Sequence, residues 1–235
     1  MFHNLKSVLN YVVKRFTNPI AFKIKSRKLT YLSFDALKNI QEVIYEVERS
    51  KVPGCFIETG CALGGSTIVI GRAKSKKRQL KVYDVFGMIP PPTEKDGEDV
   101  QKRYEVISSG EAKGINGDLY YGYKKDLKNV VINNLEKFGL DLEKDNIELI
   151  QGLYEETLSA KEPVAFAHID CDWYSSVMTC LREIEPHLAK HGVIIIDDYY
   201  AWSGCKTAVD EYFTPELKSN YTFQTKANKL IIKKN

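Results

Sequence analysis

Short apolar runs rich in Val and Ile alternate along this chain with segments whose apolar residues recur at helical spacing. The runs predict strands at 55–60, 80–83, 147–150, 164–169 and 193–196, and a final pair at 221–223 and 229–232 joined by Ala227-Asn228. Alternation of strands and helices is typical of a parallel sheet, and the last pair is typical of an antiparallel hairpin. The pattern therefore predicts an α/β fold with a seven-stranded, mostly parallel sheet and a C-terminal antiparallel hairpin.

Helical spacing predicts several helices between these strands. An amphipathic first helix runs over 2–16 and should end at Asn18-Pro19, and Ser33 is expected to cap a second helix over 37–47. Further helices are predicted over 127–138, 175–188 and 206–212, with His191-Gly192 closing the segment before the fifth strand. Residues 87–126 lack regular periodicity apart from a short helix near 97–107, which predicts a lid or substrate-binding insertion containing Tyr104, Tyr120, Tyr121 and Tyr123.

Charge divides the chain into an arm and a domain. Residues 1–28 contain seven basic residues and no acidic one, although the whole chain of 235 residues has a net charge of only +3. We interpret residues 1–35 as a basic N-terminal helical arm and residues 36–235 as a single domain. The basic charge could meet nucleic acid, an anionic membrane surface or an acidic partner, and it is also typical of a solvated helix face. The apolar stripe could be covered by its own domain, by a membrane or by a second copy, and we favour the second copy in a homodimer. No recognisable motif indicates nucleic-acid binding.

Cysteine usage indicates the compartment. The chain contains five cysteines with no CxxC pair, which argues against a disulfide framework or a zinc site. No run approaches the roughly 20 apolar residues that a membrane-spanning helix needs. Reduced thiols and the absence of a signal-peptide pattern predict a cytoplasmic protein.

Two acidic pairs follow buried strands. Asp170 and Asp172 come directly after the strand at 164–169, and Asp197 and Asp198 come after the strand at 193–196. Ligands of open α/β sheets bind just beyond the carboxyl ends of the strands, so the four carboxylates should converge. Because four buried like charges repel one another, the pattern predicts a divalent metal site. Oxygen ligands without Cys or His favour Mg²⁺.

A glycine-rich turn follows the first strand. The segment Glu58-x-Gly60-x-x-x-Gly64-Gly65-Ser66 lies between that strand and a helix, where glycines let the backbone approach a ligand and the helix offers free N–H groups. Asp84 ends the second strand 20 residues after Gly64, which suits an acceptor for ribose hydroxyls. The spacing matches neither the dinucleotide fingerprint nor the phosphate-binding loop.

Together these motifs resemble the macrocin O-methyltransferase family of sugar O-methyltransferases, which has the Rossmann-like class I methyltransferase fold. The resemblance rests on the glycine turn, on H-x-D-x-D-x-Y and D-D-Y at the expected separation, and on further matching segments. These segments are 83–90, 151–158, 168–176, 192–199 and 204–209. Trp173 and the segment 87–126 depart from the family pattern.

The resemblance implies an S-adenosylmethionine- and Mg²⁺-dependent O-methyltransferase acting on a sugar hydroxyl of a glycoside, nucleotide sugar or glycan. Asp170, Asp197 and Asp198 would bind Mg²⁺, and Asp172 would be the general base. The cofactor-binding residues would be Glu58, Gly60, Gly64, Ser66, Asp84 and Gly152. We expect His168 to be a structural residue or to support the metal ligands, because a strand histidine between Ala167 and Ile169 is usually buried in the core.

Three other functions are compatible with parts of this pattern. Asp170-x-Asp172 is also the D-x-D of a metal-dependent glycosyltransferase, although Glu58-x-Gly60 has no role there. A methyltransferase of a small catechol uses a similar acidic metal site, but the long insertion suits a bulkier acceptor. A catalytically inactive scaffold protein would not need four converging carboxylates.

Overall fold

A computed structural model of the chain describes residues 13–235, and everything below refers to them. The seven strands of this region form one sheet in the order β3-β2-β1-β4-β5-β7-β6. The strands are β1 Cys55–Thr59, β2 Leu80–Asp84, β3 Ile147–Gln151, β4 Val164–Ile169, β5 Leu188–Ile196, β6 Tyr221–Lys226 and β7 Lys229–Lys234. The first five are parallel, and β7 pairs antiparallel with both β5 and β6. The predicted sheet and its terminal hairpin are confirmed.

Helices cover the two faces of this sheet and follow the strands in alternation. They are α1 Pro19–Ser26, α2 Phe34–Arg49, α3 Gly65–Ala73, α4 Glu98–Ser108, α5 Leu127–Lys137, α6 Tyr154–Thr157, α7 Tyr174–Ile184, α8 Ser203–Tyr212 and α9 Pro215–Lys218. Short 3₁₀ turns lie at Ile115–Gly117, Tyr121–Tyr123 and Glu185–His187. Within residues 13–235 no helix is long and apolar enough to cross a membrane.

At the start of the chain, the structure describes the residues from 13 onward. Residues 13–17 are helical, and Asn18 separates them from α1, so a helix ends at Asn18-Pro19 as predicted; the portion over 2–12 lies outside the described residues. The sequence analysis missed α1, in which the Asn18 side chain caps the helix by accepting a hydrogen bond from the amide of Ala21. Ala21 and Ile24 are fully buried in the same core as the sheet. Within the proposed arm, α1 therefore packs on the domain.

The boundary between α7 and β5 differs from the prediction. The helix ends at Ile184 instead of continuing to 188, and β5 begins at Leu188 instead of 193. Pro186 has no N–H group to donate to the preceding turn, so the chain tightens into the 3₁₀ turn at Glu185–His187. His191-Gly192 therefore lies inside β5 and does not close a helix.

The sheet order reverses between β1 and β4, from which β2 and β5 continue in opposite directions. Such a reversal opens a crevice at the carboxyl ends of the strands. Register keeps these ends level, because Thr59 of β1 pairs with Ile169 of β4, which pairs with Ile196 of β5. The predicted glycine turn and both acidic pairs therefore emerge at one edge of the sheet.

Candidate active site

A cavity of about 480 Å³ occupies this crevice. Its walls contain the turn after β1, the end of β2, the acidic segments after β4 and β5, and parts of the 87–126 insertion. All four predicted acidic residues, Asp170, Asp172, Asp197 and Asp198, line it. Of the predicted cofactor-binding residues, Gly60, Ser66 and Asp84 line the same cavity, whereas Glu58, Gly64 and Gly152 lie behind its wall.

The turn after β1 comes very close to the backbone after β4. Gly60 has a φ of +83°, and a Cβ atom placed on it would lie 1.9 Å from the carbonyl oxygen of Asp170. The Asp170 amide donates to the Thr59 carbonyl at 2.9 Å. Only glycine fits this approach without moving one chain from the other. Gly60 therefore joins the glycine turn directly to the acidic segment.

Glu58 is buried beneath this turn and does not reach the cavity. One of its carboxylate oxygens accepts a hydrogen bond from the Thr67 hydroxyl at 2.5 Å, and the other lies 3.2 Å from Nδ1 of His168. The side chain is fully inaccessible to solvent. In this position Glu58 connects the start of α3 with the core strand β4.

Asp84 is held by backbone amides at the end of β2. Its Oδ2 accepts from the amides of Cys61 and Ala62, at 2.8 and 3.3 Å, and its Oδ1 accepts from the amide of Phe86 at 2.7 Å. Burial raises the pKa of Asp84, and the backbone hydrogen bonds oppose that rise. A carboxylate has about four acceptor positions, so Asp84 retains capacity for a further donor such as a ribose hydroxyl.

Gly152 is hydrogen-bonded to the backbone of Asp84. Its amide donates to the Asp84 carbonyl at 3.1 Å. Gly152 has a φ of +149°, and a Cβ atom there would lie 2.5 Å from a methyl carbon of Thr157. Gly64 is the N-cap of α3, has a φ of +84° and faces Val131. Both glycines shape the wall of the cavity through the backbone.

His168 lies between Glu58, beneath the glycine turn, and Asp197 of the acidic cluster. It is fully buried on β4, and besides Glu58 it faces Asp197, whose Oδ1 lies 3.8 Å from Nε2. Burial alone would lower the pKa of His168, but interactions with Asp197 and Glu58 raise it to about 10. Its position between the Glu58 and Asp197 carboxylates suits a residue that supports the metal ligands.

Lys229 is a site residue that sequence reasoning missed. Its Nζ lies 2.5 Å from Oδ2 of Asp197 and 3.0 Å from the Asp197 carbonyl oxygen. Lys229 begins β7 in the hairpin, 32 residues after its partner. A single lysine at the start of a predicted strand has no distinctive sequence signal. Its role follows only from the antiparallel pairing of β5 with β7.

The four carboxyl groups differ in their electrostatic environments. Burial and the charge of Asp197 raise the pKa of Asp170 well above its usual range, and burial with the charge of Asp172 does the same for Asp198. The pKa of Asp172 is raised by burial, although a side-chain hydrogen bond with Asp198 opposes the rise. Burial also disfavours charge on Asp197, but His168 and Lys229 outweigh it and lower its pKa.

These residues fit a cation. Oδ1 of Asp197 and Oδ2 of Asp198 are buried and have no hydrogen-bond partner among residues 13–235, and the ligand atoms of His168, Asp170 and Asp197 lie within 4.8 Å of one another. Buried carboxylate oxygens without donors are costly, and a divalent ion would satisfy them. Nδ1 of His168 already faces Glu58 at 3.2 Å, and carboxylate oxygens are the ligands that Mg²⁺ prefers, so Asp170, Asp197 and Asp198 could hold the ion.

The 87–126 insertion builds one wall of the cavity. Trp173, which follows Asp172, is 1% exposed and donates its indole N–H to the carbonyl of Pro90 at 2.9 Å. Asp96 accepts from the amide of Tyr174 at 2.8 Å. The residue that departs from the family pattern therefore fastens the insertion to the acidic segment. Of the four tyrosines named in the predicted insertion, Tyr120 and Tyr121 line the cavity, and Tyr104 and Tyr123 do not.

Comparison with known proteins gives a consistent picture. The family model described as Macrocin-O-methyltransferase (TylF) matches residues 26–218. The demethyldecarbamoylnovobiocin O-methyltransferase of Streptomyces niveus is 28% identical over 189 residues, which cover 78% of this chain and 67% of that protein. The 8-demethyl-8-(2,3-dimethoxy-alpha-L-rhamnosyl)-tetracenomycin-C 4'-O-methyltransferase of Streptomyces olivaceus is 30% identical over 190 residues, with the same coverages of 78% and 67%.

A solved structure of the O-methyltransferase NovP is similar in fold. It superimposes with a TM-score of 0.71 at 25% sequence identity, over 88% of this chain and 82% of that chain.

Proposed function

The chain belongs to the macrocin O-methyltransferase family, and we propose that it transfers the methyl group of S-adenosylmethionine to a sugar hydroxyl in a reaction that needs Mg²⁺. The observation that carries this proposal is the single cavity shared by both halves of the predicted site. Gly60, Ser66 and Asp84 line it on the donor side, and the four acidic residues line it on the other. A methyl donor and an acceptor hydroxyl would thus meet within one enclosed space.

Asp172 would act as the general base. It lines the cavity, and its elevated pKa brings its proton affinity closer to that of a group that accepts a proton near neutral pH. Asp170, Asp197 and Asp198 would hold the ion, with His168 and Lys229 orienting Asp197. When bound, Mg²⁺ would lower the pKa of the acceptor hydroxyl. Asp172 would then take the hydroxyl proton as the oxygen attacks the methyl carbon and the S–CH₃ bond breaks, with S-adenosylhomocysteine as the leaving group.

A sugar acceptor is favoured over a small catechol. The name of the relative from Streptomyces olivaceus describes methylation of a rhamnosyl-bearing compound. A glycosyltransferase reading of Asp170-x-Asp172 has no support from the family match.

Other expectations from the sequence belong to the same proposal. We propose Mg²⁺ as the ion, a cytoplasmic location, a homodimer, and contact between the basic arm over 1–35 and an anionic membrane surface. Parts of that arm also have partners within the fold, since Lys23 and Arg27 lie over the Phe138 ring at 5.0 and 5.3 Å. The residues before 13 are the ones to test by truncation.

Turnover of S-adenosylmethionine to S-adenosylhomocysteine tests the proposed function. The purified protein is incubated with methyl rhamnoside, a nucleotide sugar or catechol, with EDTA or with added Mg²⁺. We expect product with a sugar acceptor, none with catechol, loss of turnover in EDTA and recovery with Mg²⁺. Methylation of catechol alone would contradict the acceptor class, and full turnover in EDTA would contradict the metal requirement.

A further inference from the structure

Arg103 occupies an inward-facing position on α4, where an apolar residue would be expected. Val100 and Ile107, at helical spacing on either side of it, are buried at 0% and 1% exposure. Arg103 itself is half-buried and lines the cavity together with Ile107. A charged group in this place costs desolvation free energy unless a partner compensates it.

Among residues 13–235 no ion pair and no hydrogen bond compensates the Arg103 charge, which acts on Asp172 at longer range and lies over the Tyr120 ring. Neither a hydrogen bond nor a carboxylate within 4.0 Å is found for the Arg103 guanidinium in this region, whereas Lys102, the preceding residue, pairs with Glu98 at 2.7 Å on the solvent side. The other basic residue on the cavity wall, Lys229, is already paired with Asp197. Arg103 is therefore the cation of the described cavity wall that is available to a ligand.

An aromatic ring orients this cation. The Arg103 guanidinium lies over the Tyr120 ring, with 5.7 Å between its central carbon and the ring centroid. Attraction between the cation and the ring face restrains the guanidinium. The adjacent wall contains the Asp172 carboxylate, so a ligand group at Arg103 would belong to the molecule whose hydroxyl faces Asp172.

We infer that Arg103 is a specificity-determining residue that binds an anionic group of the acceptor, either a phosphate or a carboxylate. The inference rests on the proposed function. Guanidinium groups bind both anions through two parallel hydrogen bonds, which gives orientation as well as affinity. The Asp172 carboxylate on the same wall would repel a second negative group, so the anion is directed to Arg103 and the neutral hydroxyl to Asp172.

Equilibrium binding of three probes tests the inference without turnover. Methyl glucoside is neutral, methyl glucuronide carries a carboxylate, and UDP-glucose carries a diphosphate. We expect the wild-type protein to bind at least one anionic probe about tenfold or more tightly than methyl glucoside in isothermal titration. The two anionic probes distinguish a carboxylate from a phosphate source. Equal binding of all three probes, or no binding of either anion, would overturn the inference.

Variants then locate the effect. Arg103→Met should weaken binding of the preferred anionic probe by about tenfold or more and leave the affinity for methyl glucoside unchanged. Arg103→Lys should retain part of the affinity for the anionic probe. Lys102→Met is the matched control on the same helix and should behave as wild type. If Arg103→Met slows methyl transfer equally to neutral and anionic acceptors without changing binding, Arg103 serves Asp172 instead and the inference is wrong.

A separate titration with S-adenosylmethionine distinguishes this inference from the proposed function. A protein that binds the anionic probe through Arg103 but not S-adenosylmethionine would contradict the function only. A protein that binds and turns over S-adenosylmethionine with neutral sugars as well as with anionic ones would contradict the role of Arg103 only.

Discussion

The ammonium group of Lys229 lies 2.5 Å from one carboxylate oxygen of Asp197 and 3.0 Å from the carbonyl oxygen of the same residue. The pair is mostly buried, with side-chain exposures of 14% and 8%. Lys229 thus supplies positive charge to a cluster of four acidic residues that the sequence analysis interpreted as a metal site. A cation from the C-terminal hairpin and a divalent ion would compensate the same carboxylates.

Replacing Lys229 with Met should therefore destabilise the metal-free protein and enlarge the increase in Tm that Mg²⁺ causes. Loss of one partner from a buried ion pair costs about 3–5 kcal/mol, because the other charge is left uncompensated. Thermal unfolding in EDTA should show a lower Tm than wild type, and saturating Mg²⁺ should raise the Tm by a larger increment.

Lys233→Met is the control for this prediction. Lys233 lies on the same strand, but its ion pair with Glu46 is exposed, at 41% and 53% side-chain exposure. Exposed ion pairs contribute little to stability, so this variant should have the Tm of the wild type both in EDTA and in saturating Mg²⁺. The same Mg²⁺-induced increment in Lys229→Met as in wild type would contradict the idea that the lysine and the ion compensate the same charge.

Asp172→Asn should abolish methyl transfer while leaving S-adenosylmethionine binding almost intact. A positioned general base contributes about 10²–10⁴-fold to the rate, and an amide cannot accept the proton. Turnover and isothermal titration measure the two effects separately. Asp35→Asn, at an exposed carboxylate in the first turn of α2, is the control. Turnover of Asp172→Asn within a few-fold of wild type would remove Asp172 as the base.

Gly60→Ala should disrupt the site more than its backbone conformation alone would cause. An alanine in the left-handed region costs about 1–2 kcal/mol, and at Gly60 the added Cβ would also collide with the Asp170 carbonyl. Gly110→Ala isolates the conformational cost, because Gly110 has a φ of +82° and nothing within 4 Å of an added Cβ. Denaturant unfolding should show the larger loss for Gly60→Ala, together with weakened S-adenosylmethionine binding. Equal losses in the two variants would contradict a close contact between the turns.

The ion pair of Glu48 with Arg78 predicts a pH dependence of stability away from the site. The Arg78 side chain lies 3.0 Å from a Glu48 oxygen and also donates to the carbonyls of Val52 and Gly54. Burial raises the pKa of Glu48, but the hydrogen bonds from Arg78 and the Ser75 amide outweigh it and lower the pKa below the ordinary 4.5. A carboxyl group with a lowered pKa stabilises the fold above its unfolded value, and the contribution is lost as the pH falls through the folded value.

Glu48→Gln should accordingly lower the free energy of unfolding by about 1–3 kcal/mol at neutral pH. The difference from wild type should shrink as the pH falls from about 4.5 through the lower folded pKa, below which the wild-type carboxyl is also neutral. Urea unfolding across this range measures it. A difference that does not change with pH would show that lost packing, rather than lost charge, is the cause.

Much of the architecture was accessible from the sequence because it depends on local periodicity. The bounds of β4 agree with the predicted run at 164–169, Ser33 caps α2 as expected, and Ala227-Asn228 forms the hairpin turn with positive φ at both residues. Alternating strands and helices determine a parallel sheet, and a parallel sheet brings strand ends together. The convergence of Asp170 and Asp172 with Asp197 and Asp198 follows from that rule.

Contacts between segments distant in sequence were decided by the tertiary structure alone. The pairing of Lys229 with Asp197, the position of His168 between Glu58 and Asp197, and the orientation of Arg103 toward the cavity depend on how elements pack. The hydrophobic periodicity of the sequence carries no information on these distances, because the residues come together only when β5 pairs with β7 and α4 packs against the site. The sequence by itself determined which chemical groups reach the edge of the sheet, and packing determined which charge compensates which.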